Sequence, residues 1–141
     1  MNGDIYIDNG YLNGRVDKFT FNTTNVNTVM NVSGSCYGLF IDINNNLYCS
    51  LKDFHQVIQF SLNNGTTLPT IAAGNGSAGS LLNMLNSPQG IYVDSTLSLY
   101  IADSANNRIQ FVQTGQLNAV TIAGNGSSGN ITLNYPTGII L

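Results

Sequence analysis

Short runs of β-branched and aromatic residues alternate with polar turns along most of the chain. Two clear examples are Ile91-Tyr92-Val93, between Gly90 and Asp94, and Leu99-Tyr100-Ile101-Ala102, between Ser98 and Asp103. Runs of this length between turn residues are typical of β-strands. The longest stretch with helical spacing covers only 80–85, and the chain has no glutamate, a strong helix former. The pattern therefore predicts an all-β protein.

The strand pattern repeats along the chain. Gly38 and Asp42 in one unit match Gly90 and Asp94 in the next, and each pair is 52 residues apart. The Leu-Tyr pair that follows recurs at the same distance, and the later strands recur after 51 residues. Four short strands in each unit, repeated every 40–50 residues or so, are typical of a β-propeller blade. The repeat therefore predicts a propeller built from four-stranded blades, with strands a to d in each.

The strands add up to about three blades. Residues 1–35 form a partial blade with strands b, c and d, and 36–86 form a second blade. Residues 87–134 form a third blade, and 135–141 form the first strand of a further one. Three blades do not close a ring, and open ends would expose unpaired strand edges. We therefore expect a fragment of a larger propeller, with the remaining blades supplied by the same longer chain or, alternatively, by a second copy.

The third unit resembles an NHL repeat. It contains Pro88-Gln89-Gly90-Ile91-Tyr92-Val93-Asp94, then Leu99-Tyr100-Ile101-Ala102-Asp103, then Asn107-Arg108-Ile109. The family pattern is Pro-x-Gly-Ile-x-Val-Asp, then Leu-Tyr-x-Ala-Asp, then Asn-His/Asn-Arg-Ile. The resemblance implies a β-propeller, usually with six blades, that serves mainly as an interaction platform. Such propellers occur in ubiquitin-ligase proteins, RNA-binding regulators, sensor-kinase ectodomains and a zinc lyase.

The loops predict where a ligand would bind. Because strand direction alternates, the b–c turns and the d–a connections emerge on one side of the blades, which we call the loop face. Loops on a rigid scaffold often carry binding residues. The candidate binding residues on this face are Lys52, Asp53, His55, Asn75, Asp103, Asn106, Asn107, Arg108 and Asn125. We expect Asp103 to have a structural role, in which it accepts hydrogen bonds from turn amides and pairs with Arg108.

The sequence offers little for catalysis. A zinc centre needs several converging ligands, whereas the chain has one histidine and no glutamate. The glycine-rich segments 73–79 and 123–129 lack the Lys-Ser/Thr of a phosphate-binding loop, and there is no Gly-x-Ser-x-Gly motif. We therefore predict no catalytic residue, no metal and no cofactor. Calcium held by aspartates and loop carbonyls is the remaining alternative.

The two cysteines, Cys36 and Cys49, lie on either side of an a–b hairpin. If Cys49 faces Phe40, the two cysteines are about 13 Å apart along the strands. A disulfide requires Cα atoms within about 7 Å, so we expect two buried free thiols. A β-bulge near Gly38 would shorten the gap and permit a disulfide, which stays the alternative.

Charge and composition limit the partners. Four cations against seven aspartates give a net charge of −3, which argues against nucleic-acid binding. No apolar run approaches the roughly 18 residues of a membrane span, and the N-terminus does not resemble a signal peptide. The Asn-rich composition favours an extracellular or secreted protein, with the cytoplasm as the alternative. Six glycosylation sequons agree with this, at Asn22, Asn31, Asn64, Asn75, Asn125 and Asn130.

These observations together predict a non-catalytic propeller that acts as an interaction scaffold and binds a protein, peptide or glycan through its loop face. One alternative is a substrate-recognition module of a ubiquitin-ligase-type NHL protein. Another is part of a metal-dependent lyase or lactonase propeller, which would need metal ligands from other blades.

Overall fold

The computed structural model describes residues 3–64 and 68–141, and its strands form three antiparallel sheets in chain order. This confirms the predicted all-β fold. The first sheet has three strands: β1 (Asp4–Asp8), β2 (Arg15–Thr20) and β3 (Val26–Asn31). The second has four: β4 (Cys36–Ile41), β5 (Asn46–Leu51), β6 (Gln56–Ser61) and β7 (Thr70–Ala73). The third also has four: β8 (Pro88–Val93), β9 (Leu99–Asp103), β10 (Arg108–Val112) and β11 (Val120–Gly124).

Each b–c turn contains one short helical turn. These are α1 (Gly10–Asn13) and two 3-10 turns at Lys52–Phe54 and Ser104–Asn106. Each ends in a left-handed residue with almost the same φ, at Gly14 (54°), His55 (55°) and Asn107 (54°). The repeat thus extends to backbone conformation. No helix in residues 3–64 and 68–141 has the length and apolarity needed to cross a membrane.

Two hydrophobic cores lie between neighbouring sheets. Successive side chains of a strand point to opposite faces, so β5 contributes to both cores. Leu47 and Cys49 pack with Val16 of the first sheet, whereas Tyr48 packs with Ile91 of the third. The stacking places the b–c turns and d–a connections on the loop face. It places the a–b hairpins and c–d loops on the opposite side, which we call the hairpin face.

The glycine of each strand a lies against the backbone of the next unit. A Cβ atom built on Gly38 would lie 2.5 Å from the Gln89 carbonyl oxygen. A Cβ atom on Gly90 would lie 2.5 Å from the Thr137 carbonyl oxygen. Only glycine permits an approach this close. Packing between units therefore explains why the repeated motif contains glycine.

The cysteines form a disulfide, so the expectation of free thiols is wrong. The Cα atoms of Cys36 and Cys49 are 5.1 Å apart. Cys49 lies opposite Leu39 and not opposite Phe40, as the sequence analysis assumed. The strand pairing is also irregular between Cys36 and Gly38. This irregularity brings Cys36 back towards Cys49, as the alternative with a bulge near Gly38 required.

The predicted further blade begins at residues 135–141, and no strand is assigned there. A strand needs a hydrogen-bonded neighbour, and none of the described strands pairs with this segment. Thr137 nevertheless lies against Gly90 as Gln89 lies against Gly38. The proposed division into blades at residues 35, 86 and 134 stays a prediction.

Candidate binding site

Asp103 lies at the centre of the b–c turn of the third sheet, completely buried. Its Oδ2 atom accepts hydrogen bonds from Arg108 Nε at 2.7 Å and from Asn106 Nδ2 at 2.8 Å. Its Oδ1 atom accepts the backbone N–H of Asn86 at 2.6 Å. The carboxylate thus joins its own turn to the preceding d–a connection, residues 74–87.

Arg108 binds the same connection further along. Its guanidinium donates to the carbonyl oxygens of Ser80 at 2.9 Å and Met84 at 3.2 Å. Asn106 Nδ2 also donates to the carbonyl oxygen of Gly79 at 2.8 Å. Because these donors and Asp103 are paired with one another or with backbone carbonyls, Asp103, Asn106 and Arg108 act as supports for the connection.

Two other candidate residues connect neighbouring sheets. The Nδ1 atom of His55 accepts the backbone N–H of Ser87 at 3.1 Å. The Oδ1 atom of Asn107 accepts the backbone N–H of Tyr135 at 2.8 Å. Ser87 and Tyr135 each precede a proline and each have a positive φ. In consecutive units, the left-handed turn residue thus accepts the backbone N–H just before the proline of the next unit. The sequence did not predict this contact.

Asn75 and Asn125 lie on exposed turns of the loop face. Asn75 Oδ1 accepts the N–H of Ser77 at 3.0 Å, and the N–H of Asn125 donates to the Asn107 carbonyl at 3.1 Å. Both asparagines follow a glycine with positive φ. They belong to equivalent positions of the two d–a connections, and both side chains can reach solvent.

Lys52 and Asp53 lie on a b–c turn that presents aromatic side chains to solvent. Lys52 Nζ lies 4.8 Å from the centre of the Tyr37 ring. Tyr37 is 49% exposed, and Phe54 on the same turn as Lys52 is 43% exposed. We call Tyr37, Lys52 and Phe54 the aromatic patch. Sequence reasoning missed its two aromatic residues, although both depart from the third unit, which has Gln89 and Asn106 there.

Lys52 differs electrostatically from the other cations. Arg15, Lys18 and Arg108 each form an ion pair with an aspartate, at 2.9, 2.6 and 2.7 Å. Within the described residues, no carboxylate oxygen lies within 4.0 Å of Lys52 Nζ. The ammonium group of Lys52 therefore keeps its charge available beside two exposed rings, where a cation–π contact holds it in place.

The described ranges contain no group of three histidine, cysteine, aspartate or glutamate side chains placed to hold a metal ion. The single histidine, His55, already uses its Nδ1 atom to accept the Ser87 N–H. The loop face therefore consists of a hydrogen-bonded support and an exposed aromatic patch with one unpaired cation.

Residues 85–110 match the family model described as NHL repeat. Two similar solved structures are auxiliary nutrient binding proteins from Bacteroides. That of Bacteroides ovatus ATCC 8483 has a TM-score of 0.80 at 16% identity over 99% of this chain and 40% of its own. That of Bacteroides thetaiotaomicron VPI-5482 has a TM-score of 0.71 at 20% identity over 98% of this chain and 40% of its own.

A nidogen/laminin complex is also similar, with a TM-score of 0.66 at 18% identity over 87% of this chain and 44% of the matched chain. No curated protein sequence matches the chain significantly. The chain spans about two fifths of the length of the solved structures it matches. The repeat in the sequence and the three stacked antiparallel sheets show a β-propeller fold, and residues 85–110 within it are similar to an NHL repeat.

Proposed function

We propose that this chain is a non-catalytic binding scaffold of a secreted or cell-surface protein, and that its loop face binds a protein, peptide or glycan. The observation that carries the proposal is the exposed aromatic patch of Tyr37, Lys52 and Phe54. Tyrosine and phenylalanine are enriched in binding interfaces, where they bury large areas with few rotatable bonds.

The support beneath the patch favours binding. The Cys36–Cys49 disulfide lies beside Tyr37, and the hydrogen bond between His55 and Ser87 holds the end of the turn that carries Lys52. A preorganised surface loses less conformational entropy when a ligand binds. The patch therefore combines exposed anchor side chains with a constrained backbone.

The disulfide also bears on the compartment. Disulfides persist in oxidising environments and are rare in the cytosol. The six sequon asparagines are all exposed, which fits a glycosylated surface. The matched structures include nutrient binding proteins and a nidogen/laminin complex. These features favour the extracellular proposal over a cytosolic substrate-recognition module of a ubiquitin ligase.

The experiment compares the chain with a double variant, Tyr37→Ala/Phe54→Ala, on arrays of glycans and of secreted proteins. A control, Ile43→Ala/Leu68→Ala, removes two apolar side chains from the hairpin face that are more exposed than Tyr37 and Phe54. The proposal expects a ligand whose binding the first variant weakens at least about tenfold and the control leaves unchanged. Ligands that bind both variants equally well would contradict it.

A further inference from the structure

A cavity of about 280 Å³ lies between the second and third sheets on the hairpin face, away from the aromatic patch. One wall comes from strands β5, β6 and β7 of the second sheet. The other comes from the a–b and c–d loops of the third sheet. Buried Leu99 and Val112 form apolar surface within it, and exposed Ile71 and Leu117 also line it. The cavity is thus open to solvent and partly apolar.

The polar lining of the cavity is entirely neutral. It includes the side-chain amides of Gln59, Gln113 and Gln116, together with Asn46 and Tyr48. Asn46 and Tyr48 both donate to the carboxylate of Asp42. The three glutamine side chains make no hydrogen bond to other residues among those the structure describes. Each amide offers two N–H donors and an acceptor oxygen to a ligand.

The equivalent groove between the first and second sheets contains charged residues, unlike the cavity. Tyr6 lies opposite Lys18 in the first sheet, and Tyr48 lies opposite Gln59 in the second. Lys18 pairs with Asp4 at 2.6 Å and lies 5.8 Å from the centre of the Tyr6 ring. That groove therefore contains an ion pair, whereas the cavity has an amide at the same place in the repeat.

We propose that the cavity binds a neutral sugar ring. A charged ligand would lose hydration there without an opposite charge in contact, because no lining residue is charged and the carboxylate of nearby Asp42 already accepts from Asn46 and Tyr48. Hydroxyl groups match the donors and acceptors of the three amides, and the apolar walls pack against ring C–H groups. The volume lies just below the range of about 300–1,000 Å³ for drug-sized ligands, which suits a single ring.

The test is an NMR titration of the side-chain amide signals with glucose and N-acetylglucosamine. Glucuronate and glucosamine serve as charged counterparts. We expect shifts at Gln59, Gln113 and Gln116 with the neutral sugars and much weaker shifts with the charged ones. A trisaccharide of N-acetylglucosamine tests the source of the sugar. If the natural ligand is the end of a glycan, the trisaccharide should bind more tightly than the single sugar; if it is a free sugar, it should not. Shifts confined to the loop face, or no shifts, would overturn the proposal.

Two variants make the test specific. Gln59→Leu and Gln116→Ala should each weaken binding by about threefold to tenfold, because each removes hydrogen bonds to the ring. Gln56→Leu, on a strand end at the loop face, is the matched control and should leave the affinity unchanged. Unaltered affinity in both cavity variants would reject the proposal. These variants leave the aromatic patch intact, so failure here is distinguishable from failure of the proposed function.

Discussion

The imidazole of His55 accepts the backbone N–H of Ser87, which lies 32 residues further along the chain, at 3.1 Å. In the next unit, the amide of Asn107 accepts the N–H of Tyr135 at 2.8 Å. An asparagine and a histidine thus perform one task at equivalent positions. Each side chain supplies the acceptor for a backbone N–H group that lies just before a proline.

His55→Ala should destabilise the fold by about 1–3 kcal/mol, because it leaves the Ser87 N–H without its acceptor. Chemical denaturation measures the difference in the free energy of unfolding from the wild type.

The variant His55→Asn is the matched control because it copies Asn107 and retains an acceptor. It should therefore keep most of the stability that His55→Ala loses. Equal stability of His55→Ala and the wild type would contradict a stabilising hydrogen bond between His55 and Ser87.

Gly90→Val should destabilise the fold by about 1–3 kcal/mol or more. A Cβ atom at Gly90 would lie 2.5 Å from the Thr137 carbonyl and 2.8 Å from the Gly138 Cα atom. Backbone atoms cannot move aside as a flexible side chain can. Chemical denaturation measures the effect, with Gly129→Ala as the control because nothing lies within 4 Å of its Cβ position. Equal stability of both variants would contradict the packing between units.

Much of the fold could be predicted because it depends on short-range patterns. The repeat spacing identified strands such as Leu99–Asp103, and the pairing of Asp103 with Arg108 was expected from their place in the turn. The disulfide was not expected, because it depends on a register shift between Cys36 and Gly38. Spacing along an extended strand cannot report such a shift.

The site was harder to predict than the fold. The comparison of units predicted binding residues only among the polar residues of the turns, so it did not include Tyr37 and Phe54. These two side chains are exposed because nothing in the described chain covers them. The cavity near Gln59 depends on which side chain fills the space between two sheets. That is a property of three-dimensional packing, which sequence periodicity does not reveal.

Breaking the buried pair of Asp103 and Arg108 should be costly. Both side chains are almost fully buried, so removing one charge leaves the other uncompensated. Asp103→Ala or Arg108→Met should each cost about 3–5 kcal/mol, and the double variant less than the sum. Denaturation of the single and double variants measures the coupling. Additive costs would mean that the two side chains act independently.

The same pair should protect the d–a connection from proteolysis. Arg108 holds the carbonyls of Ser80 and Met84, so Arg108→Met should expose residues 79–84 to cleavage. Arg15→Met is the control, because Arg15 belongs to a half-exposed pair with Asp17 on another sheet. Limited proteolysis with mass spectrometry locates the cuts. Cleavage elsewhere in Arg108→Met, with 79–84 intact, would contradict this assignment.

The disulfide should stabilise the chain by about 3 kcal/mol, because it closes a loop with a sequence separation of 13. Denaturation with and without a reductant measures this difference, and mass spectrometry reports the number of free thiols. The double variant Cys36→Ser/Cys49→Ser is the second measurement, since its stability should match that of the reduced wild type and not respond to reductant. Two free thiols in the protein purified under oxidising conditions would contradict the pairing.

Thr96 should control the acidity of Asp94 at the a–b hairpin of the third sheet. The Thr96 hydroxyl, at 2.7 Å, lowers the pKa of Asp94, and the N–H groups of Ser98 and Thr96 lower it further. A lowered pKa means that the charged carboxylate stabilises the folded state above the ordinary value of 3.8, and that this contribution is lost as the pH falls through the lowered pKa. Thr96→Val should raise the pKa of Asp94, whereas Thr96→Ser should retain the wild-type value. Carboxyl NMR titration compares the three proteins, and an unchanged value in Thr96→Val would show that the hydroxyl has no such effect.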